Sequence, residues 1–324
     1  MERLCRSLYI LSSKLVLMEL HLASMENISC WAFRSLCVGA TDSYTGMLSM
    51  NYLVRRKAAW KEVDTFEIEK QRQWIQVATS KEKECVEFIK QLNSELKENP
   101  AKDNVYGIQL NASCPSPQII RVGQGPALIK RPTKVGNLLK ELLKQDKFKI
   151  GIKVRLGLNP LEVQQRKVLS LFEEIEKIND SNFAHVTVHF KNALDKSSTP
   201  YDYSLLKEMK SFKIPLIING GIKRYEDFER ITKNVGAKNI VGFMVGREAL
   251  QNPDALIDIN RALGGESPSL RGLKTIGEEF ERLCKGQMPK PSYLEKIKKY
   301  CSWYPKGLAI PKTLSDSHGP RYYG

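Results

Sequence analysis

Short apolar runs rich in Val, Ile and Leu recur along this 324-residue chain. They fall at Leu20–Ser24, Ser43–Met47, Trp74–Ala78, Val105–Leu110, Ile150–Val154, His185–His189, Pro215–Asn219 and Ile240–Val245. Several are almost continuously apolar, as parallel strands buried on both faces are. Amphipathic segments separate them. Glu82–Leu96 carries Val86, Ile89, Leu92 and Leu96 at helical spacing. Thr133–Leu143 opens after Pro132 and aligns Val135, Leu138, Leu139 and Leu142 on one face. Leu161–Ile178, Asp202–Lys210 and Tyr225–Thr232 predict further helices. Strand–helix alternation of this kind predicts an α/β fold, a TIM (β/α)8 barrel. The alternative is a doubly wound open sheet, but no G-x-G-x-x-G follows the first run.

After about Leu263 the pattern changes. GGESPS, Gly264 to Ser269, reads as a linker, and Leu273–Leu283 and Tyr293–Trp303 read as helices with no strand among them. The expected organisation is a barrel over 19–263 and a small basic helical domain over 264–324. Residues 1–18, MERLCRSLYILSSKLVLM, form an extension like a weak signal peptide, but Lys14 interrupts it and no cleavage site follows. The regular pattern begins at Glu19, so Met18 is an equally good start.

Charge changes the picture next. The net charge is +15, from 51 basic and 36 acidic residues. A surplus of that size points to a polyanionic partner, with nucleic acid ahead of anionic membrane. A generally lysine-rich composition is the alternative. The excess is strong between Lys285 and Lys312, where seven lysines face one glutamate. Tyr293, Tyr300, Trp303 and Tyr304 are interleaved with them, a mixture suited to RNA phosphates and bases. Packing of these aromatics between tail and barrel is equally open. The seven cysteines include no C-x-x-C pair, which fits a reducing cytoplasm rather than a disulfide framework or zinc site. With four histidines no metal centre is expected, and no run of 18 apolar residues predicts a membrane span.

In such a barrel the chemistry collects at the carboxyl ends of the strands. The fourth run ends in Asn111 and Cys114, the fifth in Lys153 and Arg155, the sixth in His189. The seventh ends in Asn219, Gly220 and Gly221, the eighth in Gly246 and Arg247. Two glycine turns with an arginine at the last two strands suit a phosphate-bearing ligand. Lys153 inside an apolar strand needs an anionic partner or must lose its proton, unless it snorkels out of the barrel end. Cys114 is open to four roles: core residue, metal ligand, nucleophile or proton donor. His189 has no serine or second base beside it, which disfavours acyl transfer.

Together the motifs resemble the tRNA-dihydrouridine synthase family. The resemblance rests on NASCPSPQIIRVGQGPALI, KVRLG, the histidine at 189, IINGGI and GFMVGREALQNP, in that order. ASMENISCWAFRSL and WIQVATSKEKE are similar to its first and third strands, and KIKKYCSWYPKG to its helical RNA-binding domain. It implies an enzyme that uses FMN and NADPH to reduce a uracil in tRNA. Cys114 would be the proton donor, and Asn111 and Arg155 would meet the substrate. Met25, Gln76, Lys153, His189, Asn219, Gly221, Gly246 and Arg247 would hold the flavin. A monomer is expected. The chain departs from the family pattern at Ser24 (often proline), Gly46 (often glutamate), Ala112–Ser113 (often M-G) and Lys191 (often arginine), which suggests a divergent branch. Dihydroorotate dehydrogenase is a rival, with its own N-x-S-C-P loop and FMN. It needs neither the basic tail nor the ending GRxxxxNP from Gly246 to Pro253. A non-catalytic RNA-binding barrel would have no need of Asn111, Cys114 and Lys153 together.

Overall fold

The computed structural model describes residues 18–233, 235–236, 238–265 and 268–311. Residues 1–17 of the expected extension, with Cys5, and the last residues of the basic tail, with Lys312, lie outside this range, as does part of the GGESPS stretch. The barrel strands are β1 (Glu19–Leu22), β2 (Asp42–Tyr44), β3 (Arg72–Ala78) and β4 (Val105–Ala112). They continue with β5 (Lys149–Gly157), β6 (Phe183–Asn192), β7 (Leu216–Asn219) and β8 (Ile240–Val245). Every pairing is parallel. β1 pairs with both β2 and β8, and β2 with β3, so the sheet closes on itself. This is the expected TIM barrel. Glycine makes room for large inward side chains. A Cβ at Gly107 would lie 2.4 Å from the Trp74 ring, and one at Gly151 would lie 2.8 Å from His185 Nε2.

Four local expectations need correction. Val86 is 53% exposed, because Cys85, Phe88, Leu92 and Leu96 set the buried face of helix Glu82–Glu98. The second run is shorter than expected: β2 ends at Tyr44, and Leu48–Ser49 pairs separately with the end of β3. The helix expected over Leu161–Ile178 is broken into Pro160–Gln164 and Lys167–Glu176, with Arg166 left-handed at φ 54°. Its first turn is pinned to the end of β5, where Leu158 N–H donates to Glu162 Oε2 at 2.7 Å. Asp202–Lys210 shrinks to Leu206–Met209, since the Asp202 carboxylate accepts from Ser204 N–H and favours a turn.

The tail forms helices Leu273–Gly286 and Pro291–Tyr300, packed into the same core as the barrel. Arg271 binds Asp254, Glu279 and the Leu36 carbonyl across the junction. Trp303 is 3% exposed, stacks on Phe33 and donates from Nε1 to the Leu250 carbonyl at 3.0 Å. It is a packing residue, as is the buried Tyr304; Tyr300 remains 46% exposed.

Candidate active site

A cavity of about 790 Å3 opens at the carboxyl ends of the strands. All eleven site residues expected from the sequence line it: Met25, Gln76, Asn111, Cys114, Lys153, Arg155, His189, Asn219, Gly221, Gly246 and Arg247. Its volume suits a drug-sized or cofactor-sized ligand.

The Cys114 loop is held from three sides. Asn111 Oδ1 accepts from Ser113 N–H at 2.9 Å and from Cys114 N–H at 2.8 Å. Arg155 Nε donates to the Ser113 carbonyl at 2.7 Å, and its Nη1 donates to the Asn192 carbonyl at 2.9 Å. Behind the loop, Gly125 has φ +58°, and a Cβ there would lie 2.8 Å from the Cys114 carbonyl oxygen. Asn111 and Arg155 were expected to meet substrate. They do line the cavity, but most of their polar groups are committed to bracing this loop. Burial raises the Cys114 pKa above its ordinary value, with the Glu26 carboxylate adding to the effect. The thiol is therefore protonated at neutral pH, as a proton donor must be.

Lys153 is the opposite case. Its amino group is buried, and among the described residues its only hydrogen bond is a 3.3 Å contact with Met244 Sδ. Burial, with nearby Arg155, lowers its pKa to about 7. A buried cation without a carboxylate partner is costly unless a ligand supplies an acceptor. Asn219 Nδ2 donates to the Met244 carbonyl at 2.8 Å, so its Oδ1 faces His189 Nδ1 at 2.8 Å and receives the ring proton. His189 Nε2 is left as an acceptor, and burial holds the imidazole well below its usual pKa.

At the other side of the cavity Gly220 and Gly221 both take positive φ, +108° and +70°. Side chains there would collide with Tyr201 and Tyr203. Tyr201 escaped the sequence reading. It lies in an irregular segment with no periodicity, yet its hydroxyl accepts from Arg247 Nη2 at 2.8 Å, and Lys191 Nζ sits 4.7 Å from its ring centroid. Lys296 and Tyr300 of the tail also line the cavity, as do Glu26, Met47 and Lys223. The basic, aromatic tail pointed to RNA but not to a place in this wall.

A buried amine held only by a thioether, a positive-φ glycine turn and a methionine-lined wall suit a flavin mononucleotide: Lys153 for an electron-rich ring edge, Gly221, Gly246 and Arg247 for a phosphate. The tightest cluster of metal-capable groups among the described residues is elsewhere. Glu19, His21 and Asp42 meet at the amino ends of the strands, where Arg72 binds both carboxylates at 2.5 and 2.6 Å.

Comparison with known proteins places the chain. The dihydrouridine synthase (Dus) family model matches residues 21–316. A probable tRNA-dihydrouridine synthase of Helicobacter pylori is 30% identical over 181 residues, covering 55% of this chain and 50% of that protein. A tRNA-dihydrouridine(20/20a) synthase of Vibrio parahaemolyticus is 25% identical over 205 residues, 60% of each chain. A tRNA-dihydrouridine(20a/20b) synthase [NAD(P)+] of Saccharomyces cerevisiae is 32% identical over 154 residues, 45% of this chain and 39% of that one. The chain thus spans about half the length of the curated relatives it matches. With a match over almost its whole length, the chain belongs to the dihydrouridine synthase family.

Proposed function

We propose that this protein reduces the C5–C6 double bond of particular uridines in tRNA to 5,6-dihydrouridine. The carrying observation is the thiol of Cys114, raised in pKa and held in a braced loop on the same cavity wall as the unpaired Lys153. Bound in that cavity, FMN would supply the hydride for C6 after reduction by NADPH. Cys114 would deliver the proton to C5, so that one hydride and one proton saturate the bond. The thiolate left behind is stabilised by the nearby Arg155 and Lys153 cations, both of which pull the Cys114 pKa down against burial. Lys153 would hold the electron-rich edge of the flavin, and Met25, Gln76 and His189 its rings and side chain. Gly221, Gly246 and Arg247 would hold its phosphate, with Asn219 fixing the His189 tautomer.

The target uridine must leave its stack to enter the cavity, at a cost that contacts elsewhere offset. The +15 charge and the Lys296–Tyr300 edge of the cavity suit that purpose. No described helix is long and apolar enough to cross a membrane. A tRNA substrate and free thiols at the six described cysteines suit the cytoplasm. A monomer would suffice, since one chain supplies every residue named. The test is nucleoside mass spectrometry of tRNA from cells lacking the gene: one or more dihydrouridines should disappear and return with the wild-type gene. Unchanged dihydrouridine, with no second synthase present, would refute the proposal. The lost position would also say which uridine is served, on which the relatives' names differ.

A further inference from the structure

Three carboxamides stack down the barrel beneath the Cys114 loop, and their orientations are not independent. Ser113 and Cys114 N–H can only donate, so Asn111 must turn Oδ1 toward them. Asn111 Nδ2 then donates to Gln76 Oε1 at 2.7 Å, and Gln76 Nε2 to Gln109 Oε1 at 2.7 Å. Gln109 Nε2 faces Thr187 Oγ1 at 3.3 Å and His185 Nε2 at 3.4 Å. Burial drives the His185 pKa down to about 3, so its ring is neutral; Nε2, which also lies 3.2 Å from the Tyr44 hydroxyl, accepts when the ring proton is on Nδ1. All five side chains are 5% exposed or less. Turning one amide over would set donor against donor at the next.

We propose that Gln109 is a positioning residue for the Cys114 thiol, acting through Gln76 and Asn111. It touches neither cavity nor thiol; its oxygen supplies the buried acceptor that holds Gln76, and through Gln76 the Asn111 amide, in the orientation the Cys114 loop requires. The proposal rests on the reading of Cys114 as the proton donor.

The decisive variants are Gln109→Leu and Gln109→Glu. Leucine removes the acceptor that Gln76 Nε2 needs. Burial keeps the glutamate protonated, so its carbonyl oxygen accepts from Gln76 and its O–H donates toward His185 Nε2 or Thr187 Oγ1, as the amide does. In single-turnover reduction of tRNA uridine by the pre-reduced enzyme, Gln109→Leu should slow the step by about tenfold or more, as small misplacements of a reacting group do. Gln109→Glu should stay within about threefold of wild type. Hydrogen–deuterium exchange on the protein alone gives a second readout: the Ser113 and Cys114 amides should exchange faster in Gln109→Leu and at the wild-type rate in Gln109→Glu. A double-mutant cycle supplies the third. In the Cys114→Ala background Gln109→Leu should cost nothing further. If Cys114→Ala is fully active, the underlying reading fails. If Cys114→Ala is dead while Gln109→Leu reacts and exchanges as wild type, the positioning role alone fails. Should Gln109→Leu not fold, Gln109→Asp takes its place: its shorter acceptor cannot reach Gln76, and a wild-type rate and exchange there would also overturn the role.

Discussion

The two ends of the barrel bury polar groups to opposite effect. At the amino end Glu19, Asp42 and Arg72 saturate one another, Trp74 Nε1 donates to Asp42 Oδ1 at 2.7 Å, and His21 lies between Glu19 and Tyr44. At the carboxyl end Lys153 has no carboxylate beside it, His189 keeps a bare nitrogen, and glycines leave the wall open. Same strands, different bookkeeping: at one end the polar groups answer each other and hold the fold, and at the other Lys153 and His189 keep capacity for a ligand.

The largest way to test this contrast is Cys114→Ala. It should retain fold and flavin and lose dihydrouridine formation by about 10²-fold or more, the usual worth of a general acid, read by mass spectrometry of tRNA. Arg72→Met attacks the other end. It strands Asp42, which is fully buried, and should cost about 2–3 kcal/mol by urea unfolding, below the value for a wholly buried pair because Arg72 is partly exposed. Activity per folded molecule should be unchanged; a loss of turnover without a loss of stability would overturn the division of labour between the ends.

Lys153→Met should weaken flavin binding by about tenfold or more in a fluorescence titration, in keeping with the loss of one charge-assisted hydrogen bond. It should also change how the flavin-free protein responds to pH. The folded pKa of Lys153 is about 7 against an ordinary 10.5, so the unfolded chain binds more protons between those values. Its burial penalty is fully present below pH 7 and fades as pH rises toward 10. Wild type should therefore gain stability relative to Lys153→Met with rising pH across that window, and parallel curves would remove the buried, unpaired amine. Smallest of all, Tyr300→Ala should leave stability within about 0.5 kcal/mol, as exposed positions do, while Trp303→Ala should cost about 3 kcal/mol or more in thermal or urea unfolding.

Most of the eight strands were legible because they are buried on both faces and read as apolar runs; β2, Asp42–Tyr44, is the exception, and its end was misplaced. The cavity residues were legible because barrel geometry gathers strand ends, whatever the loops between them. The barrel interior was not. Gln76, Gln109, His185 and Tyr44 interrupt apolar runs, and alternation alone does not say that they meet across four strands. Val86 misled for a related reason: counting apolar residues ignores that Cys85 and Phe88 claim the inward face. Tyr201 lies where no periodicity exists to be read.

Gly46, at the place where the family resemblance leads one to expect glutamate, carries a consequence for the mouth of the cavity. A Cβ there would stand 3.1 Å from the Tyr293 hydroxyl, and Tyr293 belongs to the helix that brings Lys296 and Tyr300 to the rim. The missing side chain leaves room for that hydroxyl. Any larger residue at 46 would press on the tip of the Tyr293 side chain, which would have to give by a few tenths of an ångström, although position 46 itself lines no part of the cavity.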